Sequence, residues 1–298
     1  MIVDIHTHPP KHRELPPGAE PELNDKWRPD RPVNVTTTWQ DYFAGQSPAE
    51  VSVVFGIAMS PGGAAYPADP DWSEGNINDA VAEFAAAHPG RLIGFAAVHP
   101  FDPDCLDELE RCRVDLGMQG VKLGANYQNF DPLEPRALAI YDYAQRHGLP
   151  IMLHQGTSPV QDAPIRYAHP LVVDEIAMRY PELRMIMAHL GHPWQVETCV
   201  VVRKHPNVYT DLSANFYRPF SFWEQMVKAA EWNVLDKILF GSDWPITEVG
   251  ESIERLRAVN DIVEGTRLPR VAPDAVEAII ERDSLGLLGL SAGVGAQR

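Results

Sequence analysis

The chain reads as an α/β protein built as a single (β/α)8 TIM-type barrel, and three observations predict it. Its 298 residues suit one barrel of about 250 residues with an insertion. Eight short apolar runs alternate with helix-patterned segments, the mark of repeated βαβ units. Several runs are apolar throughout, as strands become when the barrel interior covers one face and helices the other. A doubly wound open sheet is the rival for such an alternation.

The strands are expected at 2–8 (IVDIHTH), 52–58 (SVVFGIA), 91–98 (RLIGFAAV), 120–125 (GVKLGA), 150–156 (PIMLHQG), 184–191 (RMIMAHLG), 208–213 (VYTDLS) and 238–244 (ILFGSDW). Helices are expected at 76–87, 104–115, 134–147, 170–179, 193–204, 220–231 and 248–263. Pro and Gly punctuate the joins, as in His147-Gly148-Leu149-Pro150. His88 and His147 precede such turns and read as helix ends. Segment 9–50 breaks the pattern with seven prolines between Pro9 and Pro32 and reads as an irregular insertion in one domain spanning 1–298. It leaves the strand end that carries chemistry in barrels, so it is expected to form a lid; a loop that only packs is the plainer reading.

Composition narrows the function classes. A hydrophobic fraction of 45% supplies a sizeable core, and 25 basic against 41 acidic residues give a net charge of −16. Nucleic acid would be repelled by that surface, and a small anionic substrate would need local positive charge within a pocket. No apolar run approaches the ~18 residues of a membrane span, and the start MIVDIHTH lacks the form of a secretory signal. Cys105, Cys112 and Cys199 have no metal or redox spacing and read as free thiols. A cytoplasmic protein acting on a small molecule is expected, without nucleic-acid or membrane partners.

The chemistry-bearing residues gather at strand ends. The first strand ends Asp4-Ile5-His6-Thr7-His8, and alternation places His6 and His8 on one face with Ile5 and Thr7 on the other. Later strands end in Met152-Leu153-His154, Met187-Ala188-His189 and Gly241-Ser242-Asp243. In a barrel these boundaries share one rim, where active sites sit. One buried His is ordinarily a core residue, but four histidines and an aspartate in register point to a metal. Lys122, Arg166 and Arg218 follow strand ends and are candidates to pair a substrate carboxylate. Trp194, Phe216, Tyr217 and Trp244 are candidates for an apolar wall, and Gln155 and His192 for orienting their neighbours.

The ordered run DIHTH, GVKL, PIMLH, MIMAHLGHP and LFGSDWP resembles the amidohydrolase superfamily over nearly the whole chain. Its branch looks like the amidohydrolase-related group that includes aminocarboxymuconate semialdehyde decarboxylase and the resorcylate decarboxylases. That resemblance implies one divalent ion held by His6, His8, His154 and Asp243, with His189 catalytic. Zinc is the expected ion and manganese the second choice, with no organic cofactor. A homodimer is implied by the branch alone. Two departures stand out: Glu281-Arg282-Asp283-Ser284-Leu285-Gly286-Leu287-Leu288 replaces the relatives' GxNAxRLL, and Lys122 occupies the position that in two-metal members carries a bridging carbamate. For Lys122, bridging, substrate contact and a structural ion pair stay open. TatD-type nucleases carry a glutamate where Lys122 stands, and a phosphatase of the histidinol-phosphatase type would want a basic rim, so neither fits.

A metal-activated water attacking a carbonyl, with Asp243 shuttling the proton, makes hydrolysis of a small carboxylate-bearing substrate the leading expectation. Nonoxidative decarboxylation of an aromatic or unsaturated acid at the same site is the alternative.

Overall fold

The computed structural model describes residues 1–61 and 76–293. Eight strands run parallel in chain order: β1 (Val3–Thr7), β2 (Val51–Val54), β3 (Leu92–Ala97), β4 (Gly120–Leu123), β5 (Ile151–Leu153), β6 (Met185–Met187), β7 (Val208–Asp211) and β8 (Ile238–Leu239). The ring is completed where the chain after β8 returns to β1. There the Ile5 N–H donates to Phe240 O at 3.1 Å, Asp243 N–H to His6 O at 2.9 Å and His8 N–H to Trp244 O at 3.0 Å. Seven strands fall within the segments expected for them and β2 begins one residue ahead of its own, and the closed ring settles the barrel over the open sheet.

Helices α1 (Trp39–Gly45), α2 (Ile77–Ala87), α3 (Cys105–Val114), α4 (Pro135–His147), α5 (Leu171–Arg179), α6 (Gln195–Lys204), α7 (Pro219–Glu231), α8 (Val249–Arg257), α9 (Pro273–Ile280) and α10 (Ser284–Leu288) complete the fold. His88 is the C-cap of α2, and Gly148, in the left-handed region at φ 67°, ends α4 after His147. Segment 9–50 is not irregular throughout. It holds a two-residue antiparallel pair, Leu23–Asn24 with Val33–Asn34, and then α1. A capping box starts α1: the Thr38 side chain accepts from Asp41 N–H while Asp41 accepts from Thr38 N–H. The stretch before α1, residues 9–38, is called the strap below.

The apolar residues form two layers. Outward-facing strand residues such as Val54, Val121 and Met187 pack with the helices. Inward-facing ones, among them Ile5, Phe55, Phe95 and Met152, fill the barrel floor, which Leu285 and Leu288 of α10 close from below. Asp283, at the position where relatives carry Asn, accepts from Gly286 N–H at 3.0 Å and caps α10. The departure at the chain's end thus serves the plug of the barrel. The floor leaves little slack. A Cβ on Gly120 would lie 2.5 Å from the ring of Phe95, itself enclosed in the floor. Gly120→Ala is therefore expected to destabilise the fold by ~1–3 kcal/mol through overpacking, read as a lowered midpoint of thermal unfolding.

One irregularity in β1 decides the site. Val3 and Asp4 pair with Val51 and Ser52, but Thr7 pairs with Val54, so three steps on β1 oppose two on β2. That extra residue is a β-bulge. Strict alternation would put Ile5 opposite in face to His6, yet Ile5 packs in the barrel floor and His6 and His8 also line the interior cavity. Thr7 points outward, its hydroxyl 2.7 Å from the Tyr42 hydroxyl on α1. The Asp4 carboxylate holds the bulge, accepting from His6 N–H at 3.1 Å and, across the seam, from Ser242 N–H at 3.0 Å. Burial pushes its pKa up to about 7. Among the described residues no helix is long and apolar enough to cross a membrane.

Candidate metal centre

At the C-terminal mouth of the barrel, ligand atoms of His6, His8 and Asp243 lie within 4.8 Å of one another. Asp243 Oδ1 is 3.4 Å from His6 Nε2 and 3.2 Å from His8 Nε2. His189 Nε2 is 3.2 Å from His154 Nδ1, and the His6 and His189 rings are 4.9 Å apart. The four imidazoles and Asp243 line one cavity. His189 (φ 61°) and Asp243 (φ 65°) sit in the left-handed region that non-glycine residues avoid. This strain is held by hydrogen bonds: at His189, its N–H to Asp211 Oδ1 at 3.0 Å and Asn215 Nδ2 to its carbonyl at 2.9 Å, and at Asp243, its N–H to His6 O at 2.9 Å. Gly241 supplies room, since a Cβ there would lie 3.0 Å from that of His6.

The outer nitrogen of each ring meets an oxygen, and this fixes the tautomers. His6 Nδ1 faces the Asp211 carboxylate at 2.9 Å, His8 Nδ1 faces Phe55 O at 3.1 Å, and His189 Nδ1 faces Ser213 O at 3.1 Å. His154 is turned round, with Nε2 facing Thr157 O at 3.3 Å. Carbonyl and carboxylate oxygens only accept, so each outer nitrogen carries the hydrogen and each inner nitrogen offers a lone pair. Five electron-pair donors therefore converge with no hydrogen among them.

Electrostatics agree. Burial, assisted by the charge of Lys122, lowers His6 to about 4. Burial likewise lowers His189, and lowers His154 well below the usual imidazole range with help from His189. Burial pushes the Asp243 carboxyl up, but the His6 and His8 rings facing it outweigh this and hold it below the usual carboxylate range, so it is ionised. Neutral imidazoles beside an anionic carboxylate, all with lone pairs inward, suit a borderline divalent cation. The fit is good.

Asp211 and Ser213 were not singled out from sequence. Asp211 Oδ2 accepts from His6, while its Oδ1 accepts from the backbone N–H groups of His189 and Ser213 and from the Ser213 hydroxyl. Its place at the end of VYTD was a usable signal, because the other site residues also end strands. The softer candidates divide. Lys122 is buried in the cavity wall, its ammonium 4.5 Å above the Phe55 ring and without a hydrogen-bond partner among the described residues. That leaves a structural ion pair unsupported. Burial lowers its pKa to about 8. Arg218, Tyr217 and His192 also line the cavity. Arg166 and Trp244 do not belong to its wall. Arg166 is exposed, its guanidinium held over the Tyr167 ring at 4.3 Å. Trp244 packs outward against Tyr42 at 4.8 Å and over Gly45 of α1, since its backbone pairs with Thr7 on the outer-facing step of β1. Phe216 packs with Phe222 and Phe240, and Trp194 with His169.

The family model described as Amidohydrolase matches residues 3–281. A gamma-resorcylate decarboxylase of Rhizobium sp. (strain MTP-10005) is 26% identical over 232 residues, covering 64% of this chain and 71% of the relative. A 2-amino-3-carboxymuconate-6-semialdehyde decarboxylase of Dictyostelium discoideum is 24% identical over 182 residues, covering 55% and 48%. Among solved structures, a dihydroxybenzoic acid decarboxylase from Polaromonas sp. JS666, with bound manganese and the inhibitor 2-nitroresorcinol, superposes with a TM-score of 0.64 at 17% identity. It covers 97% of this chain and 96% of its own. With its barrel, its converging donors and this match, the chain belongs to the amidohydrolase family of metal-dependent enzymes, on the branch that includes the resorcylate and aminocarboxymuconate semialdehyde decarboxylases.

Proposed function

We propose that this enzyme is a nonoxidative decarboxylase of a small aromatic or unsaturated carboxylic acid. The observation that carries the reading is the buried, unpartnered Lys122 ammonium in a largely apolar cavity of about 380 Å³ beside the imidazole cluster. Such a chamber matches a flat apolar ring bearing one carboxylate. The likeness to the Rhizobium decarboxylase supports it as well, and moves the balance away from hydrolysis, the leading expectation from sequence.

On this reading His6, His8, His154 and Asp243 hold one divalent ion, zinc or manganese, the latter being the ion bound in the Polaromonas relative. That ion would supply Lewis acidity toward the oxygens of the bound acid. Lys122 pairs the substrate carboxylate. The ring rests against the cavity wall, where the Tyr127 ring lies 4.6 Å from that of His154, tilted by 58°. His189, with its lone pair at Nε2, takes a proton there from an acidic group of the substrate and returns it to the carbon bearing the carboxylate. The bond from that carbon to the carboxylate breaks, its electron pair stays on the carbon, and carbon dioxide leaves.

The test uses 2,6-dihydroxybenzoate and related acids with metal-loaded enzyme in ¹⁸O-labelled water, and separately in deuterium oxide. Decarboxylation gives carbon dioxide and an organic product that carries deuterium on the ring but no new ¹⁸O. An organic product carrying ¹⁸O, formed from a lactone or amide substrate without gas, would overturn the proposal in favour of hydrolysis.

A further inference from the structure

The strap carries a buried arginine that the chemistry above does not use. Arg28 is 2% exposed, and each of its five N–H groups has an acceptor. Nε and Nη2 each donate to Asp30 at 2.8 Å, and Nη2 and Nη1 donate to Glu251 of α8 at 2.9 and 3.1 Å. Nη1 also donates to Ile246 O at 3.1 Å. The guanidinium lies 4.9 Å above the Tyr217 ring, and the Tyr217 hydroxyl donates to the carbonyl of Trp27 at 3.3 Å. Three of the groups tied together here, Trp27, Tyr217 and Ile246, line the cavity. They come from three separate segments: the strap, the β7–α7 connection and the β8–α8 connection. Ile246 N–H donates in turn to Asp243 O at 2.7 Å, which links the assembly to the metal-centre backbone.

We infer that Arg28 is a positioning residue that fixes the strap as a permanent wall of the substrate cavity and thereby sets affinity for the substrate. A guanidinium does this where an ammonium would not, because its planar fork engages two carboxylates bidentately while its face covers an aromatic ring. The sequence expectation of a lid pictures a cover that opens. A fully satisfied buried fork between three segments instead makes a standing wall, since opening it strands the Ile246 carbonyl and breaks the strap's ion pairs with α8, which are Arg28 and Arg31 with Glu251 and Asp30 with Arg255, leaving Glu251 only Arg255 of its own helix. The effect on affinity rests on the cavity being the substrate's, whereas the fixing of the strap does not.

The test compares the full-length wild type with Arg28→Lys and with Glu251→Gln, which weakens the same junction from the other side should the first variant fold poorly. Hydrogen exchange is followed by peptide, with metal content, and with the dissociation constant for 2,6-dihydroxybenzoate. Peptides from 20–37 are expected to exchange at least ~10-fold faster while β4–β6 peptides keep their protection and metal content is unchanged. The dissociation constant is expected to rise about tenfold, and kcat to change much less than KM. Unchanged exchange in the strap would overturn the inference. So would a loosened strap with unaltered affinity, which would make the wall irrelevant to binding. Failure of the wild type itself to bind 2,6-dihydroxybenzoate, with the exchange result as expected, would count against the proposed chemistry and leave the fixed wall standing.

Discussion

Asp243→Asn is expected to lower turnover by about three orders of magnitude or more while the barrel stays folded. Among the described residues the carboxylate is the one anion that faces both first-strand imidazoles, at 3.4 Å from His6 and 3.2 Å from His8. An amide of the same shape keeps the packing but removes the charge that balances a dication. The fold should survive for a local reason. Asp243 adopts a positive φ, which Asn tolerates as readily as Asp, and its N–H remains bonded to His6 O. Metal content by elemental analysis, thermal unfolding and turnover are measured on the same preparation. Activity near that of the wild type would remove Asp243 from the site's working parts.

The second large effect is expected at Asp211, which lies behind the donors. Its Oδ1 already receives two backbone N–H groups and the Ser213 hydroxyl, so in Asp211→Asn the amide oxygen is held there and the amide NH2 turns toward His6. A donor then faces His6 Nδ1, where the carboxylate oxygen stood at 2.9 Å. His6 must give up the Nδ1 hydrogen and carry it on Nε2 instead, pointing a proton where the cation needs a lone pair. Metal affinity should fall by ~10–100-fold, as for other residues that orient a ligand from behind. Competition against a chromophoric chelator measures it. An unchanged affinity would sink the assignment of the His6 tautomer.

Much of this was legible in the residues. Strand and helix positions could be read because apolar runs and Gly or Pro breaks alternate along the chain, and because His154, His189 and Asp243 stand where those runs stop. The helix α1 was also readable, since Thr38 and Asp41 have capping-box spacing just before an aromatic-rich stretch, but the prolines upstream obscured it. Asp211 was harder to weigh: one acid in a strand has no evident role until tertiary structure brings His6 from 205 positions away. Trp244 misled for the opposite reason. It follows Asp243 directly, yet its backbone pairs with Thr7, whose side chain points outward, and its indole belongs to the α1 interface. In the left-handed turn after β6 only Gly191 carries a sequence signal; His189 and Leu190 before it share the positive φ with nothing in their own identity to mark it.

The extra residue in β1 makes the active centre a matter of arithmetic as well as chemistry. Asp4, His6 and His8 are spaced by twos, so an unbroken strand would turn all three the same way, and the imidazoles would share Asp4's outward direction into the helical shell. The single insertion shifts odd to even midway, sending the hydrophobes before it and the histidines after it into the same hollow. A descendant that kept every one of these residues but paired β1 without the bulge would retain every ligand in name and have its first two pointing into the helical shell. Kinship judged by the spelling of a motif would miss that loss; only the pairing of the strand reveals it.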